Sequence, residues 1–161
     1  MESVTSWIER KLGLKVNATK SKITRPADLK YLGFGFWKDG RAKQWKARPH
    51  QDSIKRFKYK LRRLTQRKWS ISFTERLKKL NQVIRGWINY FLIGSMKSAI
   101  EEIDSRLRTR LRMIIWKMWK VPSKRQWGLQ KLGVNKDLAR LTSYCGDRYY
   151  FVATKTCVSR A

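Results

Sequence analysis

The sequence contains few acidic residues, few cysteines and a single histidine. Only 11 of its 161 residues are Asp or Glu, and no two Asp residues are adjacent. Cys145 and Cys157 have neither a second cysteine pair nor a nearby histidine, which excludes a zinc knuckle and a disulfide framework. We therefore expect no metal site, and reduced thiols in a cytoplasmic compartment. His50 has no Ser, Cys or acidic partner at a catalytic spacing, so we interpret it as a turn residue.

Long apolar stretches are also missing. The longest ones are broken by Arg85, Asn89 or Lys117, and residues 1–4 lack the charged and apolar regions of a signal peptide. We therefore predict no membrane span. Basic amphipathic helices can lie on an anionic membrane surface, and this remains an alternative to nucleic-acid binding.

What the sequence has in abundance is positive charge. It contains 39 Lys and Arg residues, its formal net charge is +28 and its pI is about 10.9. Between Ser105 and Lys136 there are ten Lys or Arg residues and no acid. Because 42% of residues are hydrophobic and tryptophans recur at helical spacing, this charge belongs to a folded surface and not to a disordered tail. A nucleic acid is the partner that such a surface indicates.

Hydrophobic periodicity predicts a short mixed segment followed by helices. The first third is predicted to contain a helix, three strands and a hairpin turn, in the order Ser3–Leu12, Leu14–Val16, Leu29–Trp37, Asp39-Gly40 and Lys43–Arg48. A first long helix is capped by Asp52 or Ser53, and a second by Ser72 or Thr74. A third runs from about Ser95 to Trp119 and stops before Pro122.

The tail is predicted to hold a further helix at Asn135–Leu141 and either a short strand or an aromatic plug at Tyr149–Val152. The expected fold class is therefore α+β and mainly α, with a short N-terminal hairpin and a basic bundle of about three helices.

Several of these segments resemble group II intron reverse transcriptases. Residues 14–21 (LKVNATKS) and 31–36 (YLGFGF) resemble the last palm segment of that family, which reads L-x-V-N-x-x-K-S and then F-L-G-F. Residues 80–91 (LNQVIRGWINYF) resemble the signature of its maturase-specific thumb, or X domain, and residues 106–120 resemble the continuation of that domain. The resemblance extends over roughly residues 5–150. It implies a palm remnant at 1–49 and a maturase-specific domain at 50–161.

The resemblance also implies what this chain does not carry. The family's Tyr-x-Asp-Asp motif lies upstream of the L-x-V-N segment, and we expect this chain to begin after it. The cluster Glu101, Glu102 and Asp104 opens the third helix and is interpreted as structural. Lys20 matches a palm lysine near the incoming nucleotide, and Tyr31, Leu32, Gly33 and Phe34 match the hairpin that grips the primer. We therefore expect no polymerase activity from this chain alone, and Mg²⁺ only in a full-length parent enzyme.

The function implied by the resemblance is clamping of structured group II intron RNA to assist splicing. The alternative is the thumb of an RNA-directed DNA polymerase whose palm is missing or lies on another chain, and a general DNA-binding protein is a further option. Expected partners are intron RNA, a primer-template, a second copy or a missing palm segment. Trp116 falls off the apolar stripe and is a candidate for base stacking. The RNA-binding candidates are Arg56, Lys60, Arg63, Arg67, Arg85, Arg106, Arg110, Arg112, Lys117, Lys120, Lys124 and Arg125.

Overall fold

A computed structural model describes residues 2–155 and residue 158 of the chain. It confirms an α+β fold that is mainly α. None of the helices in this described part has the length and apolar character that a membrane span needs. A short 3₁₀ turn lies at Pro26–Asp28. The remaining elements, in chain order, are α1 (Glu2–Leu12), β1 (Phe34–Asp39), β2 (Gln44–Pro49), α2 (Gln51–Leu64), α3 (Phe73–Phe91), α4 (Lys97–Met118), α5 (Pro122–Lys131), α6 (Lys136–Ser143) and α7 (Tyr149–Thr154).

The predicted hairpin is confirmed, with β2 shifted by one residue from its predicted position, but β1 is shorter than predicted and the strand predicted before it is absent. β1 and β2 pair antiparallel from Phe34 opposite Pro49 to Asp39 opposite Gln44, and the Asp39 carboxylate accepts the Arg41 amide at the turn. The strand predicted at residues 29–37 begins only at Phe34, and the one predicted at residues 14–16 is wrong. Its sequence runs directly into a turn in which the Asn17 carbonyl accepts amides from two later residues.

The three long helices form as predicted, with one change of cap. Ser72 caps α3 by accepting the Glu75 amide at 3.1 Å, as expected. Neither Asp52 nor Ser53 caps α2. The cap is His50, whose Nδ1 accepts the Asp52 amide at 3.2 Å, so this histidine has a structural role in starting the helix.

The apolar faces of α2, α3 and α4 meet in one core. Its buried members are Ile54, Phe57, Leu61, Leu80 and Ile103. The hairpin joins this bundle because Phe34 is buried with Phe91 and Met96, and because the Ser95 amide donates to the Ala47 carbonyl at 2.8 Å. The division of the chain at residue 49 remains a prediction.

A second core lies at the C-terminal end of α4. Trp116 is only 2% exposed there, among Leu129, Val134, Ala139 and Val152 from the following segment. The base-stacking role considered for Trp116 is therefore wrong: its ring is buried and its indole N–H donates to the Gly146 carbonyl at 2.9 Å. α4 thus links both cores, with Ile103 in the first and Trp116 in the second.

The tail is more helical than predicted. The helix expected at residues 135–141 is confirmed as α6, capped by Asn135. The sequence analysis does not predict α5, because it interprets Pro122 as the end of a helix. In the structure Pro122 lies in the first turn of α5, where a backbone N–H has no intrahelical partner and its absence costs nothing. Residues 149–154 form α7 and not a strand. In α5, Gly128 lies against the Trp119 ring so closely that an added Cβ would fall 2.5 Å from it.

We expect Trp116→Ala to reduce the free energy of unfolding by about 3–5 kcal/mol, because it opens a cavity at the centre of the second core. Trp127→Ala is the matched control, since Trp127 on α5 is 59% exposed and should cost less than about 0.5 kcal/mol. Urea unfolding followed by far-ultraviolet circular dichroism measures both. Equal losses in the two variants would contradict the second core.

Candidate nucleic-acid interface

Some of the positive charge is neutralised by the few acids. Glu102 contacts Lys58 at 2.8 Å and Arg106 at 2.9 Å, and the hydrogen bond from Lys58 holds the pKa of Glu102 below its ordinary value. Arg106, a predicted RNA-binding residue in the acid-free stretch 105–136, therefore has an acid partner from just outside that stretch. The other ion pairs with both partners well exposed include Lys30–Asp52, Lys79–Glu75 and Arg108–Asp104. Such pairs reduce the charge available to an external polyanion.

Other cations are bound by main-chain carbonyls at the C-terminal end of α2. Arg76 is 2% exposed and donates to the carbonyls of Leu64, Gln66 and Trp69. Arg110 donates from Nε to the Thr65 hydroxyl at 2.6 Å and from Nη2 to two carbonyls of the same turn. Cations are favourable at this end of a helix because its last carbonyls are unpaired and carry partial negative charge.

These contacts change how two of the predicted RNA-binding residues are presented. Arg110 is half-buried, and burial lowers the pKa of its guanidinium, with a further contribution from the charges of Arg62 and Arg67. It directs two of its nitrogens into the protein. Lys117 donates to the Arg67 carbonyl at 2.9 Å but is exposed, and its ammonium group keeps further protons for an external acceptor.

Arg125 is also turned inward. This predicted RNA-binding residue lies on α5 and is only 6% exposed. Its Nε donates to the Trp119 carbonyl at 2.7 Å, and its guanidinium lies 4.7 Å from the centre of the Trp116 ring. Lys124, the residue before it, also lies on α5 and is exposed.

The row predicted on α2 has a different environment. Arg56, Lys60 and Arg63 are exposed, and their side chains make no ion pair or hydrogen bond within the part of the chain that the structure describes. Arg67 continues the row in sequence but departs from it in space, because its guanidinium lies 4.4 Å from the centre of the Tyr149 ring. Of the remaining candidates, Arg85 and Lys120 are exposed and Arg112 is half-buried.

The three unpaired cations border a groove between α2 and α3. It consists of two adjoining cavities of about 470 and 610 Å³ that share Lys60 and Val83. Its floor contains Phe57 and Trp87, whose rings are parallel and 4.4 Å apart. The wall on the α3 side is formed by Gln82, Gly86 and Tyr90. No Asp or Glu lines this space, which we call the α2/α3 groove.

Sequence reasoning missed the α3 wall. The hydrophobic pattern favours a core position for both Tyr90 and Phe91, but only Phe91 is buried, whereas Tyr90 is 55% exposed. The signal was present in the sequence, because Gln82, Gly86 and Tyr90 are four residues apart and share one helix face. The pattern alone does not show that this face of α3 lies beside the basic residues Arg56 and Lys60 of α2, which depends on the tertiary structure.

The segment predicted to grip a primer forms a tight turn at one end of this groove. Leu32 and Gly33 both have positive φ, and Tyr31 and Phe34 exchange two main-chain hydrogen bonds. The turn is fastened to both helices, because the Leu32 carbonyl accepts from the Tyr90 hydroxyl and the Gly33 carbonyl from the Ser53 hydroxyl, each at 2.8 Å. Lys20 is exposed in a separate turn. Primer contact by either segment remains a prediction.

Among the described residues, no group of three or more His, Cys, Asp or Glu side chains is placed to hold a metal ion.

The central part of the chain matches a known family. Residues 54–133, from the first turn of α2 to the end of α5, match the family model of the group II intron, maturase-specific domain. The match supports a fragment related to group II intron maturases. The resemblance of residues 14–36 to a palm segment lies outside the matched range and remains a prediction. No curated protein gives a significant match.

The two kinds of cation are distinguished by their effect on stability. We expect Arg110→Ala to lower the free energy of unfolding by about 1–3 kcal/mol, because it leaves the Thr65 hydroxyl and two carbonyls without their donor. Arg63→Ala should change it by less than about 0.5 kcal/mol, because Arg63 is exposed and has no such partner. Urea titrations of both variants provide the measurement. A stable Arg110→Ala variant would show that the carbonyl contacts contribute little.

Proposed function

We propose that this chain, a fragment related to group II intron maturases, binds structured group II intron RNA and assists its splicing without polymerase activity of its own. The observation that carries the proposal is the α2/α3 groove, a space without carboxylates that is bordered by unpaired cations. Arg56, Lys60 and Arg63 all lie within residues 54–133, the segment that matches the maturase-specific domain.

The physical basis of binding is phosphate neutralisation by a rigid surface. Lys and Arg side chains that contact phosphates release condensed counterions, which gives affinity without reading the base sequence. The arginine side chains add a planar fork that can bridge two phosphate oxygens or stack on an unpaired base. Because the bundle fixes the separation of these groups, the chain selects RNA by shape.

The absence of polymerase activity is proposed from the chain's own residues. The acids do not include an adjacent Asp pair, and several of them are already paired with Lys or Arg. The role that we assign to the chain is therefore to bind and position RNA, with no step of bond making or breaking.

A second candidate function is the thumb of a reverse transcriptase whose palm lies on another chain. It is favoured by α1, in which no residue is buried and the apolar side chains of Val4 and Trp7 are more than half exposed. This face suits pairing with a palm segment or with a second copy. In that arrangement the turn at residues 31–34 would place the groove next to a primer.

RNA affinity should depend steeply on salt. We expect log Kd for a structured group II intron RNA to change by roughly 0.7–0.9 per unit of log salt concentration for each phosphate neutralised. Fluorescence anisotropy between low and physiological salt measures the slope, and competition with duplex DNA at matched salt tests the preference for RNA. A flat salt response, or equal competition by DNA, would contradict the proposal.

Primer extension separates the two candidate functions. The purified chain, mixed with a primed RNA template, Mg²⁺ and deoxynucleotides, is expected to give no extended product. An intact reverse transcriptase under the same conditions serves as the control. Extension by this chain alone would contradict the non-catalytic assignment, whereas extension only after addition of a separate palm chain would support the second candidate.

A further inference from the structure

A glycine in the C-terminal half of α3 has no explanation in the part of the chain that the structure describes. Gly86 lies five residues before the end of a 19-residue helix, where glycine is less favourable than alanine because its backbone loses more conformational freedom. It is exposed, and a Cβ added to it would meet nothing within 4 Å. By contrast, Gly128 in α5 is required by the Trp119 ring. The small size of Gly86 therefore leaves open space at the helix surface that a partner outside the described chain could occupy.

The position of Gly86 shows where that partner lies. It is the middle residue of the α3 wall of the α2/α3 groove, between Gln82 and Tyr90. Tyr90 is held by its hydroxyl on the Leu32 carbonyl, so its exposed ring is fixed at one end of the groove. Across the groove, Arg56 and Lys60 are separated along α2 by a rise of roughly 6 Å, and Lys60 and Arg63 by roughly 4.5 Å. The three cations therefore follow one another along one side of the groove, as phosphates do along a strand.

We propose that a single RNA strand lies along the α2/α3 groove, with its phosphates on Arg56, Lys60 and Arg63 and its sugar-phosphate backbone against Gly86. A glycine at a helix surface permits a ligand backbone to approach more closely than any side chain would allow. The inference rests on the proposed function, and it adds where the RNA lies on the protein and which residue its backbone contacts. It also assigns Gly86 a role in binding and none in folding.

The two clefts beside α2 are both basic, and they differ in how many of their cations are already bound. In the cleft between α2 and α4, Lys58 and Arg106 share Glu102 and Arg110 is held by the Thr65 hydroxyl and two carbonyls, which leaves Lys55 and Arg62 without an ion pair among the described residues. The nearest acid on the face of α3 that carries Gly86 is Glu75, which lies beyond the groove lining and is paired with Lys79 at 2.9 Å. On the α3 side of α2, by contrast, Arg56, Lys60 and Arg63 all lack a partner among the described residues, and only this groove combines such cations with an exposed glycine and a fixed, exposed tyrosine ring.

The decisive variant is Gly86→Ala, because its effects on stability and on binding should have opposite signs. The added methyl group meets no atom of the protein and favours the helix, so Tm should rise by about 2–4 °C. The same methyl group keeps the RNA backbone away from α3, and we expect Kd to increase at least about tenfold. The probes are a fluorescein-labelled single-stranded oligouridylate and a structured group II intron RNA, and anisotropy at fixed salt gives Kd for each.

Asn81→Ala is the matched control. Asn81 is exposed on the same helix, about 140° around its axis from Gly86, and alanine there also favours the helix. It should raise Tm without changing Kd. A triple change of Arg56, Lys60 and Arg63 to Gln should lower the salt slope by about 2–3, which reports on phosphates and not on folding.

The outcomes separate this inference from the proposed function. If the wild-type chain binds RNA and Gly86→Ala binds it equally well, the strand does not lie on Gly86 and only the groove inference fails. If the triple variant keeps the wild-type salt slope, the phosphates lie elsewhere and the groove inference again fails. If the wild-type chain binds neither RNA at low salt, the proposed function fails as well.

Discussion

The structure depends on how a chain with 39 cations and 11 acids accommodates its own charge. Carboxylates are too few to pair with every cation, and a buried cation without a partner is costly. The fold meets this constraint at the C-terminal end of α2, where main-chain carbonyls accept hydrogen bonds from Arg76, Arg110 and Lys117. Each of these cations comes from another part of the sequence, so the contacts fasten α3 and α4 to the end of α2.

The same helix consequently has two basic surfaces with different roles. At its end, carbonyls hold cations in fixed positions and set the geometry of the bundle. Along its flank, Arg56, Lys60 and Arg63 have no partner in the described part of the chain and project beside the α2/α3 groove. A rigid bundle that leaves one row of cations unpaired is suited to a ligand that carries its charges at regular intervals. In the proposed complex, the phosphates of the ligand would supply the negative charge that the chain lacks at these cations.

Sequence reasoning succeeded where the signal was local and failed where it depended on tertiary contacts. The periodicity of α2, α3 and α4 was sufficient because each has a wide apolar stripe, and the cap at Ser72 follows from a hydroxyl at the right position. α5 was missed because its buried face includes Arg125 and Gly128, which do not appear as apolar in a sequence pattern. The prediction for Trp116 is wrong because the apolar stripe of α4 identifies only the residues that face the first core. Trp116 lies off that stripe and is buried in the second core.

The few acids affect the candidate interface because they determine which of the many cations are already paired within the protein. From the sequence, Arg106 and Arg56 are equally good candidates for RNA binding, because both are basic residues on amphipathic helices. What separates them is Glu102, which contacts Lys58 and Arg106 and so reduces the charge of the cleft between α2 and α4. No acid lines either cleft, but on the opposite flank of α2 none of Arg56, Lys60 and Arg63 has a partner among the described residues. The contrast between the two flanks therefore lies in which cations are already bound by the protein and not in the number of cations.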